Sequence, residues 1–239
     1  MAKKPPKDRA GRVVIVKDGP YRVSGSLPLD KAIIITDRRG IPTRWGRGEK
    51  YPKKETYSLC RCGNSASKPY CSGMHAEKRF DGTETASRKT FMKQADRYNG
   101  PVINLFDAVS FCALARFCDK AEGTWELSGK SDKKSVKLAI REACDCPSGR
   151  LLAWDKKAGK PIEPKLKKSI SLIEDPSERA SGPIWVRGGV PIQSSDGTVY
   201  EVRNRVTLCR CGKSINKPFC DGTHLTVEFN DGDKRLKKK

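Results

Sequence analysis

Two cysteines flanking an arginine, a third cysteine nine residues on and a histidine four beyond it form a block that occurs twice. The copies are Cys60-Arg61-Cys62 with Cys71 and His75, and Cys209-Arg210-Cys211 with Cys220 and His224. Together they take six of the ten cysteines and both histidines of the 239-residue chain, and Leu59 to His75 agrees with Leu208 to His224 at 11 of 17 positions. Thiolate and imidazole are the donors of zinc and iron–sulfur sites. Cysteines one residue apart in extended chain point to one side, so both sulfurs reach one metal site. The Pro-aromatic-Cys segment returns the third sulfur, and a histidine four residues later lies one helical turn away on the same face. Ser72 and Asp221 are placed as N-caps for that short helix, while Gly73 and Gly222 allow close backbone approach.

Three cysteines per block, with no secretory signal or apolar stretch of spanning length, argue against disulfides. A structural zinc held by three cysteines and one histidine stays open. Zinc sites usually draw their cysteines in pairs separated by two or more residues, so the tighter Cys-x-Cys spacing favours an iron–sulfur cluster.

The run Cys209-x-Cys211-x2-Ser214-x3-Pro218-x-Cys220-Asp221-Gly222-Thr223-His224 resembles the CDGSH iron–sulfur domain of the mitoNEET-like group, here in tandem. The resemblance implies a redox-active 2Fe-2S cluster in each block. Cys60 and Cys62 would hold one iron while Cys71 and His75 hold the other, and Cys209 with Cys211, then Cys220 with His224, would do the same. Ser72 and Met74 depart from the family pattern, removing a negative charge near the first cluster and implying unequal potentials.

The repeat reaches upstream, where Gly19 to Leu29 aligns with Gly182 to Ile192, and the interval to the cysteines is 14 residues longer in the first copy. An insertion between Asp30 and Lys54 accounts for the difference. Short β-branched segments bounded by Gly and Pro read as strands at Arg12 to Val16, Ala32 to Thr36, Thr56 to Leu59, Thr198 to Val202 and Arg205 to Leu208. Units this small need the metal site and each other for stability. Family members with one block commonly pair as homodimers, so this chain is expected to be a monomer holding an internal pseudo-twofold pair.

Residues 96–180 read differently. Phe106, Val109, Cys112, Ala113 and Phe117 recur at helical spacing, as do Val136, Ala139, Ile140 and Ala143, with Ser131 as cap. Leu151 to Asp155 and Ser169 to Glu174 read as strands around a hairpin loop, Lys156 to Gly159. The expected architecture is α+β: β-rich CDGSH-type units at 1–95 and 181–239, with a ferredoxin-like α+β domain at 96–180 between them. That domain holds Cys112-x5-Cys118 and Cys144-Asp145-Cys146-Pro147. Cysteine before proline is also how bacterial ferredoxin cluster runs end, and the segment resembles the divergent 4Fe-4S monocluster domain that accompanies tandem CDGSH units. Cys112, Cys118 and Cys146 are the candidate ligands of a third, 3Fe-4S or 4Fe-4S, cluster, with Cys144 completing it or spare. Buried apolar cysteines are the alternative.

The formal charge of +21 suits an acidic redox partner or cluster-acceptor protein. Nucleic acid is a weaker fit, since no basic stripe interleaved with aromatics appears in the sequence. Reduced cysteines point to the cytoplasm, away from membranes. With no nucleotide fingerprint and no spare histidine, electron transfer, redox- or pH-linked sensing or cluster transfer is expected rather than enzymatic turnover. A zinc-containing nucleic-acid-binding protein is the competing reading.

Overall fold

The computed structural model describes residues 11–236; the basic run Lys3 to Arg9 and the last residues of the lysine-rich tail lie outside them. Strands Arg12–Ile15, Tyr21–Ser24 and Thr56–Leu59 pair antiparallel, turning Val13, Ile15, Tyr21, Val23, Tyr57 and Leu59 inward. Ser169–Asp175, Ala180–Arg187 and Arg205–Leu208 repeat the arrangement in the second half.

The next strand of each half crosses to the other. Leu29–Thr36 pairs in parallel with Ser169–Asp175, and Ile192–Gln193 in parallel with Arg12–Ile15. Matching bonds open the two exchanges, Ile170 N to Pro28 O and Val13 N to Pro191 O, both 2.9 Å. The resulting sheets of four and five strands enclose one core that mixes Val13, Val23 and Leu59 with Leu172, Ile184 and Leu208. Each such side chain contributes roughly 1.5–3 kcal/mol by burial, so neither half keeps its core alone.

The expected insertion is the hairpin formed by Leu29–Thr36 and Pro42–Lys50, whose second strand is an edge of the larger sheet. Thr198 to Val202 is not a strand. Ser194 N bonds Thr198 O across a tight turn, and only an isolated bridge joins Val199 to Gln193. With no neighbouring strand to extend the ladder, Val199 and Val202 stay about half exposed.

Between the halves, Asp96–Asn99, Ile103–Asp107, Leu151–Asp155 and Lys160–Ile162 form an antiparallel sheet. Helices Thr124–Ser128 and Lys133–Asp145 set Leu127, Val136, Ala139 and Ala143 against its Ile103, Leu105, Leu151 and Ala153. The chain is thus α+β, sheet-rich with short helices. Asp132, not Ser131, caps the longer helix, accepting from Lys134 N and Ser135 N. The first expected helix does not form. Phe106 lies in a strand, Val109 is exposed and Phe117 packs by Trp45 and Trp185, so the apparent period collects residues in different surroundings. The hairpin loop Lys156 to Gly159 is where expected, but its second strand is Lys160–Ile162; Ser169–Asp175 belongs to the five-stranded sheet.

Glu142 is fully buried on the long helix, with Oε2 taking Thr124 Oγ1 at 2.7 Å and Oε1 unpartnered. Burial pushes its carboxyl up to about 7, against the opposing Thr124 bond. Between the ordinary value of 4.5 and about 7 the folded chain therefore binds this proton more tightly than the unfolded one, and stability falls as pH rises through that window. Glu142→Gln should match its parent near pH 5 and exceed it near pH 8, by on the order of 1–2 kcal/mol after discounting for solvent screening, in denaturant titrations at both pH values.

Candidate iron–sulfur sites

In each repeated block a strand runs directly into the paired cysteines. Tyr70 and Phe219 bridge back to Leu59 and Leu208, and Cys71 N and Cys220 N bond Ser58 O and Thr207 O at 2.9 Å, bringing the third cysteine beside the first two. A cis Lys–Pro peptide precedes this return in both copies. Cys60 Sγ and Cys62 Sγ lie 3.7 Å apart, as do those of Cys209 and Cys211. Cys71 Sγ is 3.3 Å from His75 Nδ1, and Cys220 Sγ 3.4 Å from His224 Nδ1. With metal–sulfur and metal–nitrogen bonds of about 2.3 and 2.05 Å, tetrahedral ligation sets two sulfurs about 3.8 Å apart and a sulfur and nitrogen about 3.5 Å apart. Each pair therefore has the spacing of two ligands on one metal.

The caps differ from expectation. Helices Met74–Glu77 and Thr223–Thr226 start from Gly73 and Gly222 at φ 90 and 91°, left-handed backbone that favours glycine, with no side-chain cap. Ser72 Oγ instead takes Ala66 N, while Asp221 takes Thr223 N and Ile215 N.

The arginine between the paired cysteines was not singled out from sequence, although its identity in both copies was the signal. Alternation turns it away from the sulfurs and into the protein. Arg61 donates to the carbonyls of Gly19, Gly82 and Val16 at 2.8–3.0 Å. Arg210 donates to Gly182 O and Ile173 O and pairs with Glu174 and Asp231 at 2.7 and 2.5 Å. The two ligand turns also meet. A Cβ added at Gly63 would lie 2.5 Å from Cys211 O, and one at Gly212 2.5 Å from Cys62 O.

The sites differ in exposure. Cys71 and His75 are partly exposed, whereas Cys220 and His224 are only 3% and 4% exposed. A Cβ at Gly222 would strike Leu114 Cδ1 at 2.5 Å, while Gly73 has nothing within 4 Å. Burial, seconded by Arg210, holds His224 down at about 4, so its imidazole is neutral and able to ligate. The hydrogen bond that Cys211 donates to Cys209, then burial, pushes the Cys211 thiol far up, and a cationic metal would displace that proton. If both blocks are loaded, a chelator should bleach them in two phases, and Leu114→Gly should accelerate only the slow one, read from visible absorbance.

In the middle segment Cys112, Cys118 and Cys146 line one small cavity. The loop from Cys112 to Cys118 curls around it through left-handed backbone at Leu114 and Arg116, φ 50 and 59°. Arg150 Nη1 donates to Cys112 Sγ at 3.0 Å, and burial pushes the Cys118 thiol up to about 12. Three half-buried thiols around one cavity fit a cationic iron centre, which stabilises their deprotonated form. Cys144 does not line the cavity; its sulfur turns to Ile162 O at 3.7 Å. Cys144→Ala should leave iron content unchanged, whereas joint replacement of Cys112, Cys118 and Cys146 by Ala should lower it without altering the spectra of the two repeated blocks.

Comparison with protein families agrees with this division. The family described as iron-binding zinc finger, CDGSH type, matches residues 18–76 and 181–225, and the family described as divergent 4Fe-4S mono-cluster matches residues 98–156. No curated protein and no solved structure matched. The chain is a tandem CDGSH-type iron–sulfur protein whose two units flank a divergent 4Fe-4S mono-cluster segment.

Proposed function

We propose that each CDGSH block holds a 2Fe-2S cluster, that the middle cysteines hold a third cluster, and that the protein carries single electrons between these centres and an acidic partner. The observation that carries the reading is the grouping of each block's donors into a sulfur–sulfur pair at 3.7 Å and a sulfur–nitrogen pair at 3.3–3.4 Å. Cys60 and Cys62 take one iron and Cys71 and His75 the other; Cys209, Cys211, Cys220 and His224 do likewise. A bound cluster of this kind supplies a reversible one-electron acceptor, at a higher potential with imidazole ligation than with thiolates alone.

The strand exchange and the reciprocal Gly63 and Gly212 contacts support an internal pseudo-twofold between the units. They also hold the two blocks against each other. On the far side of the second block, Leu114 covers Gly222, Phe111 packs edge-on against Phe219 at 5.1 Å, and Asn216 Nδ2 bonds Ser110 O at 2.7 Å. First block, second block and middle cavity thus form a contiguous series, with the partly exposed Cys71 and His75 at its outer end. That exposed end also suits cluster transfer to an acceptor protein. The excess of lysine and arginine favours an acidic partner, and no helix among the described residues is long and apolar enough to cross a membrane.

Iron, sulfide and zinc analysis of anaerobically purified protein tests the assignment. About four irons with equal sulfide are expected from the two blocks, with more from the middle segment. Two zinc ions without sulfide would overturn it in favour of a zinc protein. His75→Cys and His224→Cys should each lower the potential of one redox wave, because thiolate adds negative charge where imidazole is neutral; unchanged voltammetry in both would show that the histidines are not ligands.

A further inference from the structure

Arg150 stands at the edge of the middle cavity, and all three of its guanidinium nitrogens are engaged. Nη1 donates to Cys112 Sγ at 3.0 Å, while Nε and Nη2 donate to Asp107 Oδ1 and Oδ2 at 2.6 and 2.8 Å. Asp107 is 5% exposed and also accepts from Trp125 Nε1 at 3.1 Å. Its position is fixed by the sheet, since Asp107 pairs with Leu151 in register and Ala108 N bonds Arg150 O. The guanidinium lies over the Trp125 ring, 5.4 Å from its centroid. If Arg150 swung away from the sulfur it would strip a buried carboxylate of its counter-charge. The N–H facing Cys112 is therefore preset by a two-pronged ion pair rather than recruited by the sulfur.

We propose that Arg150 is a positioning residue that sets the redox potential of the middle centre, with Asp107 holding its guanidinium against the Cys112 sulfur. The inference rests on the reading that Cys112, Cys118 and Cys146 hold a cluster. On reduction the added electron density is shared with the ligating sulfurs, so a fixed positive donor at one of them stabilises the reduced form more than the oxidised form and raises the potential. No proton need be transferred, and the donor is present in both redox states. A purely structural Asp107–Arg150 pair would support the strands equally well but would leave the potential alone.

The test is an EPR-monitored redox titration of the full chain, purified anaerobically, with iron and sulfide counted on the same samples. The middle centre is the signal lost when Cys112, Cys118 and Cys146 are all replaced by Ala. In Arg150→Gln that signal should persist with its reduction equilibrium at least tenfold less favourable, a shift of about 59 mV for one electron. Arg150→Lys keeps the charge but cannot hold both Asp107 oxygens and the sulfur together, and should fall between the two. The waves of the CDGSH blocks should not move. A parent chain without that signal would remove the middle-centre reading and this inference with it. A parent signal whose potential is the same in Arg150→Gln would leave the centre standing and overturn the role of Arg150. Should Arg150→Gln lose the signal outright, a parental potential in Arg150→Lys would overturn it equally.

Discussion

The buried arginine within each Cys-Arg-Cys turn is the interaction on which the ligand geometry hangs. A turn carrying two metal-binding sulfurs has little apolar surface of its own, so nothing hydrophobic fixes it to the sheet. Arg61 does so by donating to three carbonyls, those of Val16, Gly19 and Gly82, in loops on either side of the turn. Each bond from a charged donor contributes about 1.5–3 kcal/mol, and an unfilled buried carbonyl costs a similar amount. The chain before the block, the block and the chain after its histidine are thereby tied into one object.

The second copy performs the same task with different chemistry. Arg210 keeps two of its carbonyl contacts and replaces the third with Glu174 and Asp231. Burial raises Glu174 to about 7 despite the guanidinium, whereas Asp231, which burial also pushes up, is lowered on balance by Arg210 together with the bond to Glu174 and the charge of Lys31. The second site is thus surrounded by buried charge where the first is surrounded by neutral backbone. Charge near a cluster moves its potential, so the two sites differ in their inner surroundings as well as at Ser72 and Met74.

The ligands were legible because metal chemistry is local: Cys-x-Cys and Cys-x3-His impose distances that a few residues satisfy. Strands were legible where alternation feeds a single core, as in Thr56 to Leu59 and Arg205 to Leu208. Sequence spacing misled where one segment serves several neighbours. Phe106, Val109 and Phe117 have a helical rhythm but lie in a strand, at the surface and against Trp45, and no periodicity records which core a side chain enters. The strand exchange was equally hidden, because Leu29 to Thr36 and Ile192 to Gln193 look the same whichever sheet receives them. Composition also does not say where a charge sits. Arg61, Arg205 and Arg210 are each at most 4% exposed, so part of the basic composition is internal architecture rather than a surface offered to partners.

Duplication brought the two blocks together, and the middle segment made them unequal. Arg205 leaves the second unit's last strand to fill the carbonyls of Ala143 and Cys146 at 2.6 and 2.7 Å, and it pairs with Glu163. Arg203 lies across the Phe111 ring, 4.1 Å from its centroid, and about 6 Å from those of Phe91 and Phe219. Both anchors belong to the second unit, and they press the Cys112 to Cys118 loop onto its histidine turn while the first unit's equivalent turn stays open. A symmetric pair would offer two interchangeable sites. Covering one of them breaks that equivalence, leaving an inner site flanked by protein on both sides and an outer site that faces solvent.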